Sequence, residues 1–385
     1  MDTRADGTTV DGQFAGIGMR TLGSTLQLPT AGRAGVPADA KAVVLNVTVT
    51  EPQGSGFITV FPCDAAQPTA SNLNYVAGKN IPNLVVAKVA ADGSVCLFNS
   101  AATHLIVDVA GYFPGLDAFT PLTSPARLLD SRADGVTVDG ASVAGGIRGA
   151  GTVQELQVTN RAGVPGSVSS VVLNVTVDQP ETAGFVTVYP CDATLPTASN
   201  VNYVAGQTIP NAVLAKVSAT GTVCLYTSAT THLIADITGY FADASVVVPL
   251  SAPARLLDTR ADGATIDGGF LGAGFRPTGG TLQLQVANRA NIPANASAVV
   301  LNVTVDQAQA PGFITVYPAE AGRPNASNLN YVAGQTVPNA VVARLGSGGT
   351  VCLFDSAATH LVVDVAAYIV GPPPAPAGIS CPPDP

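Results

Sequence analysis

The feature that most constrains the fold of this sequence is a repeat with a period of 128 residues. The stretch LNVTV occurs three times at this spacing, at Leu45–Val49, Leu173–Val177 and Leu301–Val305. Three of the cysteines and all three histidines keep the same spacing. Solenoid repeats are shorter, about 20–50 residues, so each copy is expected to be a whole domain.

The repeat also sets the expected domain boundaries. The expected units are three domains and a proline-rich tail, at residues 1–113, 119–241, 248–370 and 371–385. The second and third copies open with a lead-in, PLTSPARLL from Pro121 and PLSAPARLL from Pro249. No such stretch precedes the first copy in this sequence. We therefore expect an unpaired sheet edge or groove in the first domain.

Short segments typical of β-strands fill each copy. In the first copy, Ala42–Val49 alternates between two faces, and Gly56–Pro62 and His104–Phe113 are rich in β-branched and aromatic residues. Clusters of Gly, Pro, Asn and Asp separate these segments, as turns require. We find no convincing helical stretch of about ten residues. The sequence therefore predicts an all-β chain of three tandem β-sandwich domains, of jelly-roll or immunoglobulin-like build.

Charge and composition exclude several classes of protein. Hydrophobic residues make up 47% of the chain and charged residues only 11%, with a net charge of −9. The negative charge argues against partners such as nucleic acid or an anionic membrane surface. No apolar run reaches the roughly 18 residues that a membrane-spanning helix needs, so membrane insertion is not expected.

The cysteines favour an oxidising compartment. Their simplest pairing is Cys63–Cys96, Cys191–Cys224 and Cys352–Cys381. The third copy has Ala319 in place of the first cysteine of the pair, and a cysteine of the tail can substitute for it. An even number of cysteines with a substitute partner is typical of disulfides, although reduced buried thiols are the alternative. No CxxC motif or Cys/His cluster indicates a metal site.

One strand in each copy carries a carboxylate within an apolar run. Burying this carboxylate is costly unless a cation pairs with it. The arginines near the start of each copy predict structural ion pairs Arg4–Asp108, Arg132–Asp236 and Arg260–Asp364. The alternative is a ligand-binding patch of His, Asp and Tyr on the same strand.

A second polar motif recurs as SNLNYVAG or SNVNYVAG. Its amides and phenol could contact a sugar, and the candidate residues are Asn72, Asn74, Tyr75, Asn200, Asn202, Tyr203, Asn328, Asn330 and Tyr331. The alternative interpretation is that these side chains satisfy the backbone of turns.

Signs of catalysis are weak. No serine lies in a GxSxG elbow, and no local pair of carboxylates suggests glycoside hydrolysis. Asp2, Asp6 and Asp11 lie close together in sequence, which leaves calcium as one interpretation and turn chemistry as the other. We expect a protein that is not an enzyme and has no cofactor, with calcium as the weaker alternative.

The ordered motifs PARLLDTR, LNVTV, GFITVYP, SNLNYVAGQT and HLIVDVAGYF resemble a module common in large secreted and cell-surface bacterial proteins. The resemblance covers nearly all of residues 2–369. It implies an extracellular location and an accessory or structural role, and it supplies no catalytic residue. The sequence departs from it twice: the first copy lacks PARLL, and the third reads AAY at Ala366–Tyr368.

Two functions follow as hypotheses. The first is a non-enzymatic structural or adhesive protein of the bacterial surface, which strand addition or head-to-tail contacts would assemble into oligomers or filaments. Its partner would be a second copy of the chain. The alternative is a lectin-like module that binds cell-wall glycans through its three copies.

Overall fold

The computed structural model describes residues 1–115, 119–324, 326–372, 374, 378 and 380–381. Within these ranges the chain is all-β, as predicted, and its only helical element is a short 3₁₀ turn at Ser347–Gly349. No helix of the described ranges is long and apolar enough to cross a membrane. Much of the predicted proline-rich tail, residues 371–385, lies outside the described residues.

The second and third repeats have the same eight strands in the same order, and the first repeat has the last seven of them. The first repeat contains β1 (Ser24–Pro29), β2 (Ala42–Thr50), β3 (Gly56–Pro62), β4 (Leu73–Tyr75), β5 (Ile81–Lys88), β6 (Ser94–Asn99) and β7 (His104–Phe113). The second contains β8 (Thr120–Asp130), β9 (Thr152–Gln157), β10 (Ser170–Asp178), β11 (Gly184–Pro190), β12 (Val201–Tyr203), β13 (Ile209–Lys216), β14 (Thr222–Thr227) and β15 (His232–Phe241). The third contains β16 (Val247–Asp258), β17 (Gly280–Gln285), β18 (Ala298–Asp306), β19 (Gly312–Pro318), β20 (Leu329–Tyr331), β21 (Val337–Arg344), β22 (Thr350–Asp355) and β23 (His360–Ile369).

Each repeat forms two antiparallel sheets, which we call outer and inner. The outer sheets have the orders β1-β6-β3-β4, β9-β14-β11-β12 and β17-β22-β19-β20. The inner sheets have the orders β5-β2-β7, β13-β10-β15-β8 and β21-β18-β23-β16. The lead-in segments thus form the strands β8 and β16 at the edge of an inner sheet. The inner sheet of the first repeat has three strands, because no described residues supply the equivalent strand.

The LNVTV strand is buried on both faces. Val43, Leu45, Val47 and Val49 of β2 pack in the core between the two sheets of their own repeat, as their alternation predicts. The other face of the strand is also buried, and there it meets the neighbouring repeats. The polar residues of the motif, Asn46 and Thr48, are therefore buried as well.

The repeats pack around a common centre. A central apolar cluster draws on all three inner sheets: Ala42, Val44, Leu84, Val86, Phe119, Val172, Ala212, Leu214, Phe241, Val247, Val300, Ala340 and Ala367. The rings of Phe113, Phe119 and Phe241 meet there, with centroids 4.9–5.8 Å apart. The cores of the second and third repeats also merge into one cluster. The sequence left open whether the repeats are strung out or packed together, and the structure packs them.

Three disulfides tie the outer sheets to the segments that follow β3, β11 and the third repeat. They join Cys63 to Cys96, Cys191 to Cys224 and Cys352 to Cys381, the three pairs that the sequence predicts. Three disulfides indicate an extracellular or otherwise oxidising environment.

Candidate functional site: the repeat interfaces and an open edge

Asparagine side chains join each repeat to the next. The Nδ2–Oδ1 bonds run from Asn83 to Asn174 (2.8 Å), from Asn211 to Asn302 (2.7 Å) and from Asn339 to Asn46 (2.8 Å). The first two bonds link repeat 1 to repeat 2 and repeat 2 to repeat 3. The last one links repeat 3 back to repeat 1. The three repeats therefore form a closed ring.

The same asparagines satisfy backbone groups across the interfaces. Their Oδ1 atoms accept bonds from the next repeat, Ala212 N to Asn83 (3.0 Å), Ala340 N to Asn211 (3.0 Å) and Leu84 N to Asn339 (3.1 Å). All six interface asparagines are buried. Because a buried amide without partners is costly, this network fixes the register between neighbouring repeats.

A buried ion pair reinforces the interface between the first two repeats. Arg127 on the lead-in strand β8 donates to both carboxylate oxygens of Asp236 on β15, at 2.8 and 3.2 Å. The backbone N–H of Ser71, from the preceding repeat, donates to Asp236 Oδ2 at 3.3 Å. Burial raises the pKa of Asp236, and the guanidinium opposes that shift.

The third repeat contains an equivalent buried ion pair. Arg255 on β16 donates to Asp364 on β23 at 2.8 and 3.2 Å. The N–H of Ser199, from the second repeat, donates to Asp364 Oδ2 at 2.9 Å. The lead-in strand thus supplies the guanidinium that pairs with the buried aspartate of its own inner sheet. This ion pair lies at the interface with the preceding repeat.

The ion pairs predicted from the sequence are wrong in their arginines. Arg4, Arg132 and Arg260 fold back onto the aspartates two residues earlier, Asp2, Asp130 and Asp258, at 2.7–2.8 Å. Arg132 lies beyond the end of β8, whereas Arg127 stands directly opposite Asp236 in the strand register. The first arginine of the RLLDTR motif is therefore the partner of the buried strand carboxylate. The second arginine binds the aspartate at the end of the lead-in strand.

Asp108 has the equivalent position in the first repeat, but no arginine partner. Among the described residues, Met1 and Asp2 run beside this part of β7, and Met1 exchanges backbone hydrogen bonds with Val107 at 2.8 and 2.9 Å. No arginine of the described chain lies within salt-bridge distance of the Asp108 carboxylate. Burial raises the pKa of Asp108 to about 6, and the amino group of Met1 opposes that shift.

The outer edge of β7 is exposed where its counterparts are covered. Val109 is 36% exposed, whereas the equivalent Ile237 and Val365 are completely buried. Tyr112, three residues further along β7, is 42% exposed. β7 therefore carries the same kind of apolar side chains as β15 and β23, which a neighbouring strand covers. No described strand covers this edge of β7.

A groove of about 870 Å³ lies beside this edge. Its walls are Ile106–Val109 of β7 on one side and Phe313, Pro324 and Ser327 of the third repeat on the other. Strand β8 contacts β3 and β5 of the preceding repeat, and β16 contacts β11 and β13 in the same way. The groove is therefore the place that a lead-in strand would take between the third repeat and the first.

The predicted sugar-binding residues face inward. Tyr75, Tyr203 and Tyr331 are buried, and their hydroxyls donate to the backbone oxygens of Ala101 (2.9 Å), Ala229 (3.4 Å) and Ala357 (3.0 Å). Asn72, Asn200 and Asn328 accept bonds from the backbone N–H groups of Val60, Val188 and Val316 at 2.6–2.7 Å. Asn74, Asn202 and Asn330 are half-buried and hydrogen-bond Ser71, Ser199 and Ser327. These residues hold the fold together and do not form a surface patch, which contradicts the sugar-binding interpretation.

The other candidate ligand residues also have partners within the fold. Asp2 binds Arg4, and Asp11 binds Arg33 at 2.7 and 2.9 Å, which is not the arrangement of a calcium loop. The three histidines accept or donate one bond each at 3.0 Å, His104 with Thr3, His232 with Ser131 and His360 with Thr259. Within the described ranges no three acidic, histidine or cysteine side chains cluster as a metal site would require.

Sequence reasoning missed two features of these interfaces. It did not identify Arg127 and Arg255 as ion-pair partners, and it did not place the asparagines of β2 and β5 between repeats. A usable signal was present, since Asn46 and Asn83 recur at the 128-residue spacing inside apolar strands. A polar residue repeated at a buried strand position must have a partner.

Comparison with known proteins adds little to this picture. No protein-family model and no curated protein matches the chain. Among solved structures, a chain from an archaeal virus with a triple jelly-roll fold and turret assembly has 7% identity and a TM-score of 0.21, and the match covers 93% of this chain and 85% of the other. The major capsid protein of bacteriophage PM2 has 9% identity and a TM-score of 0.26, with 64% and 97% covered. These scores are too low to support an inference about fold or function.

Proposed function

We propose that this protein is a non-enzymatic structural protein of an oxidising, extracellular compartment, and that its copies associate through the open edge of the first repeat. We further propose that each repeat is a β-sandwich domain, since its two sheets enclose an apolar core. The observation that carries the proposal is the exposed apolar edge of β7 in a chain whose other inner sheets are complete.

A structural role is supported by the uses of the repeated polar residues. The asparagines and lead-in arginines join repeats, and the tyrosines and histidines bond groups of their own repeat. Three asparagine contacts close the ring, two lead-in ion pairs reinforce it and three disulfides stabilise it. The recurring motifs are thus accounted for by stability and packing.

Association is supported by the chemistry of the edge. An exposed strand edge presents unpaired backbone N–H and C=O groups to any chain that can pair with them. Val109 and Tyr112 add apolar surface along that edge. Pairing with a second copy would satisfy the backbone groups and cover these side chains.

Sedimentation velocity over a range of protein concentrations tests this proposal. We expect the weight-average sedimentation coefficient to rise with concentration. Val109→Lys places a charge on the edge and should keep the chain monomeric, because lysine on an edge strand opposes pairing. Val136→Lys is the matched control, since Val136 is 68% exposed and does not line the groove. A chain that stays monomeric at every concentration would contradict the proposal.

A further inference from the structure

We infer that the outer sheet of the second repeat binds an arginine side chain of a basic, extended polypeptide, which stacks on the ring of Tyr226 beside the carboxylate of Glu155. The third repeat shows the occupied form of this site, because its own loop places Arg323 on the equivalent ring. The site lies on an outer sheet, so it is independent of the edge of β7 and of self-association.

A pair of aromatic rings lies on the outward face of each outer sheet. The pairs are Phe57 with Phe98, Phe185 with Tyr226 and Phe313 with Phe354, with centroids 5.8–5.9 Å apart and ring planes inclined by 45–46°. The neighbouring residues of the same strands, such as Val188 and Leu225, point to the other face and into the core. The fold therefore presents the same pair of rings three times.

Among the described residues, a cation lies over only the third of these pairs. The guanidinium carbon of Arg323 is 3.9 Å from the centroid of the Phe354 ring, and Phe354 is only 6% exposed. The residues at the position of Arg323 in the other two loops are Gln67 and Leu195, which carry no charge. The chain thus contains one filled copy of the site and two copies without a cation.

The second repeat adds a carboxylate to the ring pair. Tyr226 is half-buried and stands opposite Val153 in the strand register, and Glu155 lies two residues further along β9 on the same face. Diagonal neighbours on a sheet are about 7–8 Å apart, within reach of long side chains. The first and third repeats have the neutral Gln27 and Gln283 at this position. A guanidinium on Tyr226 can therefore also bond a carboxylate, which favours the second repeat as the binding site.

The chemistry of the site selects arginine. The face of an aromatic ring attracts a cation within about 6 Å of its centroid, and the planar guanidinium also stacks on the ring. The carboxylate of Glu155 accepts hydrogen bonds from the same group. Phe185, which is 36% exposed, extends the apolar surface on which the methylene groups of the arginine lie. A neutral ligand gains none of the charge interactions.

A separate basic polypeptide is a better source of this arginine than a second copy of the chain. The net charge of −9 attracts a cationic partner. A second copy offers few free arginines, because most arginines of the described chain pair with carboxylates of the same chain. An extended segment suits the open face of a sheet, where its side chain reaches the ring directly.

Fluorescence anisotropy with a labelled hexa-arginine peptide tests the inference. We expect saturable binding at low ionic strength, and no binding of the matched hexa-citrulline peptide, in which a neutral group replaces each guanidinium. Tyr226→Ala should weaken the binding of hexa-arginine by about 2–5-fold, which corresponds to one exposed cation–π contact. Tyr226→Phe is the matched control, since it keeps the ring and should bind as the wild type does. Neither variant changes the net charge.

Two charge variants locate the site on the sheet. Glu155→Gln should weaken the binding of hexa-arginine more than Asp243→Asn, which removes the same charge at another exposed position. Leu195→Arg places an arginine where the third repeat has Arg323, so it should occupy the ring and weaken binding. Its control is Val10→Arg, which adds the same charge at a residue of the first repeat that is 85% exposed.

The outcomes separate the site from general attraction to an acidic chain. Equal affinities of the wild type, Tyr226→Ala and Tyr226→Phe would overturn the inference. Equal binding of the two peptides, or no binding of hexa-arginine, would overturn it as well. If circular dichroism shows that Tyr226→Ala is unfolded, equal effects of Leu195→Arg and Val10→Arg would decide against the inference in its place.

Discussion

The side-chain amide of Asn339 donates a hydrogen bond to Oδ1 of Asn46, 2.8 Å away, and these two residues lie in the last and the first repeat. This bond closes the ring, because the other two interfaces join repeats that follow each other in the chain. The chain thus holds its ends together through an interface of the same type as its internal ones, but without the lead-in strand that completes the other two.

The asparagine network should be a main source of stability. Asn211→Ala removes a donor to Asn302 and to the backbone oxygen of Asn200, and an acceptor for Ala340 N. Leaving a buried polar group unsatisfied costs about 1–3 kcal/mol, so we expect the free energy of unfolding to fall by about 2–5 kcal/mol. Urea unfolding followed by circular dichroism measures it.

The matched control for this variant is Asn74→Ala. Asn74 is half-buried and bonds only the Ser71 hydroxyl, at 3.3 Å. Its loss should cost less than about 1 kcal/mol. Equal effects of the two variants would contradict the role assigned to the interface network.

The buried ion pair gives a second prediction. Arg127→Ala leaves the Asp236 carboxylate buried without a cation, and removal of one partner of a buried pair costs about 3–5 kcal/mol. Arg344→Ala is the control, because Arg344 is largely exposed and lies 3.7 Å from its carboxylate partner, Glu320. Chemical denaturation should show a large loss for the first variant and almost none for the second. A loss below about 1 kcal/mol for Arg127→Ala would show that the pair is not buried as described.

A third prediction concerns Asp355, which occupies the position of Asn99 in the first repeat. Asn99 donates to the backbone oxygens of Thr21 (2.7 Å) and Ala101 (3.0 Å), whereas neither carboxylate oxygen of Asp355 has a hydrogen-bond partner. Burial raises the pKa of Asp355 to about 8. Arg276 Nε, 3.7 Å from Oδ2, offsets only part of that shift.

The raised pKa of Asp355 makes stability depend on pH. Between about pH 4 and 8 the folded state keeps a proton that the unfolded carboxyl, with a pKa near 3.9, has released, so the free energy of unfolding falls as pH rises. Asp355→Asn should remove this part of the slope and stabilise the protein at pH 8. Thermal unfolding from pH 5 to 8 checks it, with Asp243→Asn as the exposed control. Parallel pH profiles for the wild type and Asp355→Asn would refute the assignment.

A fourth prediction concerns the disulfides. Cys191 and Cys224 are 33 residues apart, and loop-closure entropy predicts that replacing both by serine costs about 3–4 kcal/mol. A reducing agent can open all three disulfides of the wild type, so full reduction should cost more than the double substitution. Denaturation with and without a reducing agent measures it. Unchanged stability after confirmed reduction would contradict the prediction.

Much of the fold could be predicted because β2 has a simple pattern. The alternation of Val43, Leu45 and Val47 marks one core face, and the 128-residue spacing identifies the same strand in each copy. The second face could not be predicted in the same way. Asn46 and Thr48 look like solvent-facing residues by alternation, and only the ring of repeats shows that they are buried.

The sequence predicted the open edge of the candidate site, but not the arginine that pairs with the strand carboxylate. The absent lead-in before Asp2 indicated an open edge, which the structure shows beside β7. The partner of the strand carboxylate depends on the register between β8 and β15, which places Arg127 and not Arg132 opposite Asp236. Register across a long-range strand pair depends on tertiary packing, and spacing along the sequence does not fix it.

Hydrogen–deuterium exchange of the three equivalent strands tests the open edge most directly. Peptic peptides that cover β7 should take up deuterium faster than those that cover β15 and β23, because among these three strands β7 alone has no described partner along its outer side beyond Val107. Equal protection of all three strands in the chain alone would contradict the account, since the edge of the first repeat would then already be covered.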